Sequence, residues 1–345
     1  MKAIFDFDYL IHAAGFACER RVVEVTHIPS GRKNIFKNKS EFWGRKKDVI
    51  EGWLGKQNEE RVKNGKREFT REEFSMETSR TPEKIENALH TVKVMIQKVV
   101  KEVGATSYMG YVGKGEGFRL DRSTIYKYKG NRDNVPRPLL KDDITNYILS
   151  KHNGVLVEEG ENGEILEADD WVIIEALKDV DNSVVIAVDK DTAGSAVNVY
   201  NPNKPEKGIV NCACFGDLWI EEKENASGKT KECKGYGRKF FYFQVAYGDD
   251  VDNYRANCAS DKDWGHVSAY NSLKECKTDK ECLEALVGIY KDLYPESKTI
   301  TGWRGDEFEI NWLYVLNEVW DLARMRRDVN DTVTAEDVLK KFKLI

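Results

Sequence analysis

The chain holds no run of apolar residues near the roughly 18 to 20 that a membrane-crossing helix needs. Its first residues, MKAIFDFD, set two aspartates where a secretory leader must be apolar. Both absences point to a soluble, cytoplasmic protein with no membrane partner. The seven cysteines, at 18, 212, 214, 233, 258, 276 and 282, are odd in number and contain neither a CxxC pair nor a neighbouring histidine, which excludes a zinc site and leaves reduced, structural thiols. No internal repeat is present. There is no excess of positive charge either: 54 Lys and Arg against 59 Asp and Glu give a net charge of −5, and that total argues against nucleic acid as a partner.

What the chain does have is charge in quantity, 33% of residues against roughly 25% in an average soluble protein, with 41% hydrophobic residues, too many for disorder. Its 345 residues allow two domains of about 150, or one large domain with insertions. Residues 3–7 form a short apolar run ending on acid, as a buried parallel strand does, and 10–16 read as a helix. Thr81 and Pro82 predict a helix start, followed near helical period by Ile85, Leu89, Val92, Ile96, Val99 and Val103 up to Gly104. Strands are predicted at 108–112, 155–158 and 184–189, and a helix over Ala168–Leu177. This alternation predicts an α/β fold with a mostly parallel sheet flanked by helices. Residues 28–80 read as a polar insertion with short helices around 41–54 and 71–76. A second polar stretch covers 221–239, and amphipathic patterns at 273–290 and 310–325 predict a mostly helical region. The expected division is a core over 1–215 and a helical region over 216–345.

The acids stand where such a scaffold would place them. Asp6 and Asp8 end the first strand; Glu167, Asp169 and Asp170 open a helix; Asp189 and Asp191 end another strand; Asp249, Asp250 and Asp252 sit in a loop after an apolar run. Singly, each pair reads as a cap or a surface acid. If the strand ends converge, so many carboxylates cannot all stay ionised without cations. A set of oxygen donors lacking His and Cys suits hard ions, Mg²⁺ or Mn²⁺, and a pair of them can clamp a phosphodiester for hydrolysis.

Cations are segregated too. Between 31 and 47 there are seven (Arg32, Lys33, Lys37, Lys39, Arg45, Lys46, Lys47) against Glu41 alone. Between 114 and 141, Lys114, Arg119, Arg122, Lys127, Lys129, Arg132, Arg137 and Lys141 face three acids and are interleaved with Phe118, Tyr126 and Tyr128. Cations with aromatics follow a phosphate backbone and stack unpaired bases. Charge distribution thus reverses the inference from the total.

In this order, IFDFDYLIHAA, FRLDRSTIYKYKGNRD, LEADDW, IAVDKD and FQVAYGDDVDNY resemble the flap endonuclease and 5′ to 3′ exonuclease family, most closely its tailed-phage members. The matched stretches lie between residue 3 and about 254. The resemblance implies a core of PIN/flap-nuclease type, a helical arch over about 114–150, and a helical carboxyl-terminal region that grips DNA. It implies two Mg²⁺ or Mn²⁺ ions among Asp6, Glu167, Asp169, Asp170, Asp189, Asp191, Asp249 and Asp252, with Asp8 matching an acid of some phage relatives only. Lys129 and Arg132 would contact the scissile and neighbouring phosphates, supported by Tyr128 and Lys127, with Arg119, Lys37 and Lys46 as further nucleic-acid contacts. Asp170, Asp189, Lys129 and Arg132 would be the catalytic centre of a monomer acting on duplex DNA with a 5′ end, flap or nick, and on RNA–DNA hybrids.

Departures are visible. The family usually carries an Asp at the end of the strand before the arch, where this chain reads YVGKGEGFR with Glu116 the nearby acid. Residues 28–80 match nothing in the family pattern. Two other readings stay open. Asp6-Phe7-Asp8 also suits a haloacid-dehalogenase-type phosphatase, with Asp6 as nucleophile and Asp8 as acid/base. A nucleic-acid-binding protein of the same fold with a weakened site is the other.

Overall fold

The computed structural model describes residues 1–45, 49–115, 117–133, 135–159, 163–225 and 228–345. Along the chain the strands are β1 (Lys2–Asp6), β2 (Glu19–His27), β3 (Arg32–Phe36), β4 (Phe74–Pro82), β5 (Ser107–Val112), β6 (Gly154–Leu156), β7 (Ser183–Ile186), β8 (Asn198–Tyr200), β9 (Ile209–Asn211), β10 (Asp217–Asn225), β11 (Gly228–Tyr236), β12 (Gly248–Asp249), β13 (Tyr254–Arg255), β14 (Lys298–Thr301) and β15 (Glu307–Ile310). The helices are α1 (Phe7–Ala17), α2 (Lys39–Trp43), α3 (Gly52–Lys63), α4 (Ile85–Glu102), α5 (Phe118–Arg122), α6 (Lys141–Lys151), α7 (Ala168–Leu177), α8 (Gly237–Tyr247), α9 (His266–Leu273), α10 (Asp279–Leu293), α11 (Trp312–Ala323) and α12 (Ala335–Lys341). They fall into two compact units: Met1–Ile11 with Lys93–Pro136 and Thr145–Ile345, and His12–Val92 with Arg137–Ile144. Among the described residues no helix is long and apolar enough to cross a membrane.

The first unit is α/β. Its sheet runs β6-β5-β1-β7-β8-β9, parallel except for the last pair. Ala3, Ile4 and Phe5 in β1 are at most 1% exposed, because a strand with neighbours on both sides and helices on both faces needs apolar residues without alternation. The register pairs Asp6 with Tyr111 and Phe5 with Ile186, so the chain leaves β1, β5 and β7 at one carboxyl edge. α7 leads into β7 and therefore begins at that edge, where α/β sheets present their sites.

A second core in this unit gathers Phe240, Phe243, Leu286, Tyr290, Leu316 and Trp320 from α8, α10 and α11. Here two predictions are corrected. Residues 221–239, a polar stretch within the region expected to be mostly helical, are mostly the hairpin β10–β11, whose facing Lys231–Glu222 and diagonal Lys223–Glu232 pairs replace the apolar alternation a sequence pattern needs. The helix expected over 273–290 starts only at Asp279, after α9 has ended at Leu273, since the Thr278 hydroxyl accepts from Glu281 N while Glu281 accepts from Thr278 N and so begins α10 afresh.

The basic segment also differs from the expected continuous helical arch. Among the described residues of 114–150 only α5, a single turn at Gly130–Arg132 and α6 are helical. Lys129 adopts the left-handed region with φ 54°, and Pro136 and Pro138 follow, which a continuing helix does not tolerate.

The second unit is an antiparallel sheet, β3-β2-β4, with α2 and α3 and a core of Val23, Val25, Phe36, Phe42 and Leu54. It begins at β2, ahead of residue 28, because alternate Val23 and Val25 turn inward. Thr81 and Pro82 end β4 instead of starting a helix; a proline is tolerated at a strand end, and α4 begins three residues later.

Candidate carboxylate site

Asp6 at the end of β1 lies buried, its Oδ1 accepting from Asp8 N at 3.0 Å. Burial, then the charges of Asp8 and Asp189, push its pKa up to about 8. Asp169 in the first turn of α7 is pushed well above the carboxylate range by burial and by Asp6 and Asp189. Asp191 is pushed up by burial, Asp189 and Asp249, and Asp252 by burial, with Asp189 and Glu167 adding to it against Lys129 and Arg132. Acids far apart in sequence thus feel one another's charge, so the structure brings Asp6, Asp8, Glu167, Asp169, Asp189, Asp191, Asp249 and Asp252 into one region.

The remaining contacts order this set. Asp189 caps the turn after β7 by accepting from Asp191 N at 2.9 Å, and Asp249 accepts from Val251 N at 2.7 Å and pairs with Lys190 at 2.8 Å. Of the doubled acid, Asp249 is 3% exposed, whereas Asp250 turns outward to Arg255 and Tyr247, which resolves the register. Asp8 answers the missing strand-end acid: its carboxylate accepts from Gly113 N at 3.1 Å, and a Cβ at Gly113 would stand 2.4 Å from Asp8 Oδ2. Glu116 and Lys46 lie outside the described residues. Lys37 is exposed in the second unit.

The cations enter from the basic segment, which is stitched to the acidic loop by Lys129 N to Asp252 O at 2.9 Å, Asn131 Nδ2 to Asp250 O at 2.8 Å and Asn253 Nδ2 to Lys127 O at 2.9 Å. Lys129 Nζ reaches Glu167 at 2.9 Å, Arg132 reaches Asp252 at 2.5 Å, and the Tyr128 hydroxyl donates to Asp252 at 2.9 Å. Burial would raise Glu167, but Lys129 and Arg119 prevail and hold it below its usual value. Lys127 pairs with Asp133 near the surface.

Asp170 and Arg119 have a different task. Arg119 is 1% exposed, so no nucleic acid reaches it, and its guanidinium grips Asp170 at 2.7 and 2.8 Å. Asp170 further accepts from Arg326 N at 2.8 Å and Glu167 N at 3.1 Å, which uses up its lone pairs. Its place in the EADD run is that of a buried clasp and not of a metal ligand or catalytic group.

Two groups escaped sequence reasoning. Gln244 on α8 donates Nε2 to Asp191 at 2.5 Å, and the Tyr254 hydroxyl is buried without a hydrogen-bond partner among the described residues, while burial and then Asp191, Asp249 and Asp252 raise its pKa. Neither residue carries charge, so neither registers in a charge pattern.

Could these residues hold divalent ions? Among the described residues no three acids, histidines or cysteines already form a metal-holding group. Lys129, Arg132 and Lys190 stand on the carboxylates instead, and the acids repel. Yet Asp169 Oδ1 is buried with no hydrogen-bond partner among the described residues. A buried carboxylate oxygen without a donor, among acids pushed up by one another, fits a hard cation.

That fit has a measurable sign. Asp6 is raised from 3.8 to about 8, so folding penalises its ionised form; the penalty is absent below about pH 4 and complete only above about pH 8. Divalent ions must displace those protons at low pH and meet ready anions at high pH. At one fixed concentration, a hundred times the Kd at pH 8, Mg²⁺ or Mn²⁺ is expected to raise the melting temperature by about 5 °C near pH 8, and by clearly less near pH 6. Thermal melts with EDTA and with Mg²⁺ at both pH values check this; an increment independent of pH would remove Asp6 from the ion-binding set.

No protein-family model matches the chain, and no curated protein matches it. The flap-nuclease resemblance therefore rests on the ordered motifs.

Proposed function

We propose that the protein is a divalent-metal-dependent, structure-specific 5′ to 3′ exonuclease or flap endonuclease, hydrolysing phosphodiesters from 5′ ends of duplex DNA and of RNA paired to DNA. The observation that carries this reading is the unpartnered, buried Asp169 oxygen among mutually repelling acids at the carboxyl edge of a parallel sheet, with Lys129 and Arg132 on the same acids.

Asp6, Asp8, Glu167, Asp169, Asp189, Asp191, Asp249 and Asp252 would hold two Mg²⁺ or Mn²⁺ ions. Such ions supply an acidified water and offset charge on the phosphate and leaving oxygen. The chain's own residues do the rest. Gln244 and Tyr128 orient Asp191 and Asp252 by donating hydrogen bonds. Lys129 and Arg132, relieved of Glu167 and Asp252 once those acids are neutralised, turn to the phosphates of the bound strand. Lys129 holds a left-handed backbone that a non-glycine residue adopts at a cost, as residues placed for function often do. An aspartyl-phosphate mechanism on Asp6 would leave Asp169, Asp191, Asp249 and Asp252 without a task.

The deciding experiment digests end-labelled nicked, flapped and blunt duplexes in parallel, with Mg²⁺, Mn²⁺ or EDTA. Metal-dependent release from the 5′ end is expected; substrates bound but intact under every metal would overturn the reading. Lys129→Ala is expected to slow cleavage about tenfold or more and to lower the salt slope of binding by about one ion. Lys37→Gln in the second unit should change salt-dependent affinity and leave turnover on bound substrate alone.

A further inference from the structure

A cleft of about 360 Å³ in the first unit lies among α8, α11, α12 and the segment after α11. Its walls carry four cations, Arg238, Arg324, Arg327 and Lys341, against two acids, Asp191 and Asp279. Some of this charge is spent internally. Arg238 pairs with Asp279 at 2.9 Å, and Arg324 pairs with Asp331 at 2.6 Å. The remainder is not. Arg324 Nη1 is buried with no hydrogen-bond partner among the described residues, on a side chain 11% exposed. Arg327 and Lys341 have no side-chain hydrogen bond or ion pair among the described residues. Partial burial, then the nearby Arg324 charge and more weakly that of Arg238, push the Arg327 guanidinium below its ordinary value against the opposing charge of Asp331.

Guanidinium groups in such an array fit phosphate, whose oxygens accept forked donors, better than they fit solvent. The apolar part of the cleft sets Phe241, Trp320 and Phe342 beside Ile173, Met325, Val333 and Val338, a wall against which a planar base can lie. A volume of this size matches a small ligand and not a duplex. We propose that this cleft binds a nucleoside 5′-monophosphate, its phosphate on Arg324, Arg327 and Lys341 and its base on the aromatic wall. Asp191 lines the same cleft, so a nucleotide seated there would adjoin the carboxylate region. Binding itself does not require that those carboxylates cut anything.

Calorimetric titration of the full chain in EDTA, which removes metal-held phosphate from consideration, tests this with deoxyadenosine 5′-monophosphate, inorganic phosphate and deoxyadenosine. The monophosphate is expected to bind at least tenfold more tightly than either fragment. Arg327→Gln and Lys341→Gln, at sites where no internal contact is lost, should each weaken it roughly tenfold, whereas Lys340→Gln on the same helix, which pairs with Glu336, should not. The proposal is overturned if the monophosphate does not bind, if deoxyadenosine or inorganic phosphate binds equally well, or if both cleft variants retain full affinity. A nuclease without nucleotide affinity in EDTA would sink this inference alone; a nucleotide binder that cuts nothing would sink the functional proposal alone.

Discussion

Asp170→Ala is expected to cost about 3–5 kcal/mol of folding stability, a third or more of what a domain typically has. The carboxylate is fully buried and accepts four hydrogen bonds, two of them from Arg119. Arg119 in turn donates to Leu322 O at 3.1 Å and Arg324 O at 2.9 Å, so this one pair clasps α5, the start of α7 and the end of α11. Truncating Asp170 leaves a buried guanidinium with Glu167 as its remaining ion-pair partner among the described residues and releases the amides of Arg326 and Glu167. Urea denaturation followed by tryptophan fluorescence reads the loss directly. A variant with unchanged midpoint and abolished metal-dependent turnover would return Asp170 to the ion-binding acids.

Asp189→Asn is expected to do the opposite, giving a protein more stable without metal and at least a hundredfold slower with it. Asp189 raises the pKa of Asp6, Asp169, Asp191 and Asp252, so its charge works against the folded state wherever those acids are ionised. Asparagine keeps the side-chain oxygen that accepts from Asp191 N and removes the charge, so the cap survives while repulsion falls. The melting temperature in EDTA at pH 8 should rise by about 2–4 °C for each kcal/mol relieved, and the Mg²⁺-dependent increment should shrink. Turnover is expected to fall further than the roughly 10- to 100-fold typical of residues that only orient a metal ligand. DNA affinity in Ca²⁺ should change little. Functional sites commonly hold charges that the fold would be better without. Retained turnover in Asp189→Asn would exclude it from catalysis, and a lower melting temperature in EDTA would mean that its hydrogen bond outweighs the repulsion.

Local patterns were legible wherever one segment had to bury itself. The run at β1 announced a strand enclosed on both sides, the 3.6-residue period after residue 84 announced α4, and Ala168–Leu177 was a helix by pattern and is one in the structure. The paired acids at strand and helix ends were legible for the same reason, because an acid beside an apolar run is positioned by that run. Segments held together by polar contacts left no such mark. The β10–β11 hairpin is paired through charges, and the basic segment is held by Lys129 N, Asn131 and Asn253 to a loop more than a hundred residues away.

Sequence alone was enough for the class of fold, the inventory of acids and the separation of charge hidden in a net of −5, since these follow from composition and short-range period. It could not divide the acids into those that clasp and those left without a donor. Asp169 and Asp170 are neighbours of identical chemistry, yet one is saturated by Arg119 and two backbone amides while the other keeps a buried oxygen without a donor. Successive residues on a helix point about 100° apart, so what each meets is set by elements that arrive from 50 to 160 residues away in the chain, and only packing brings them there.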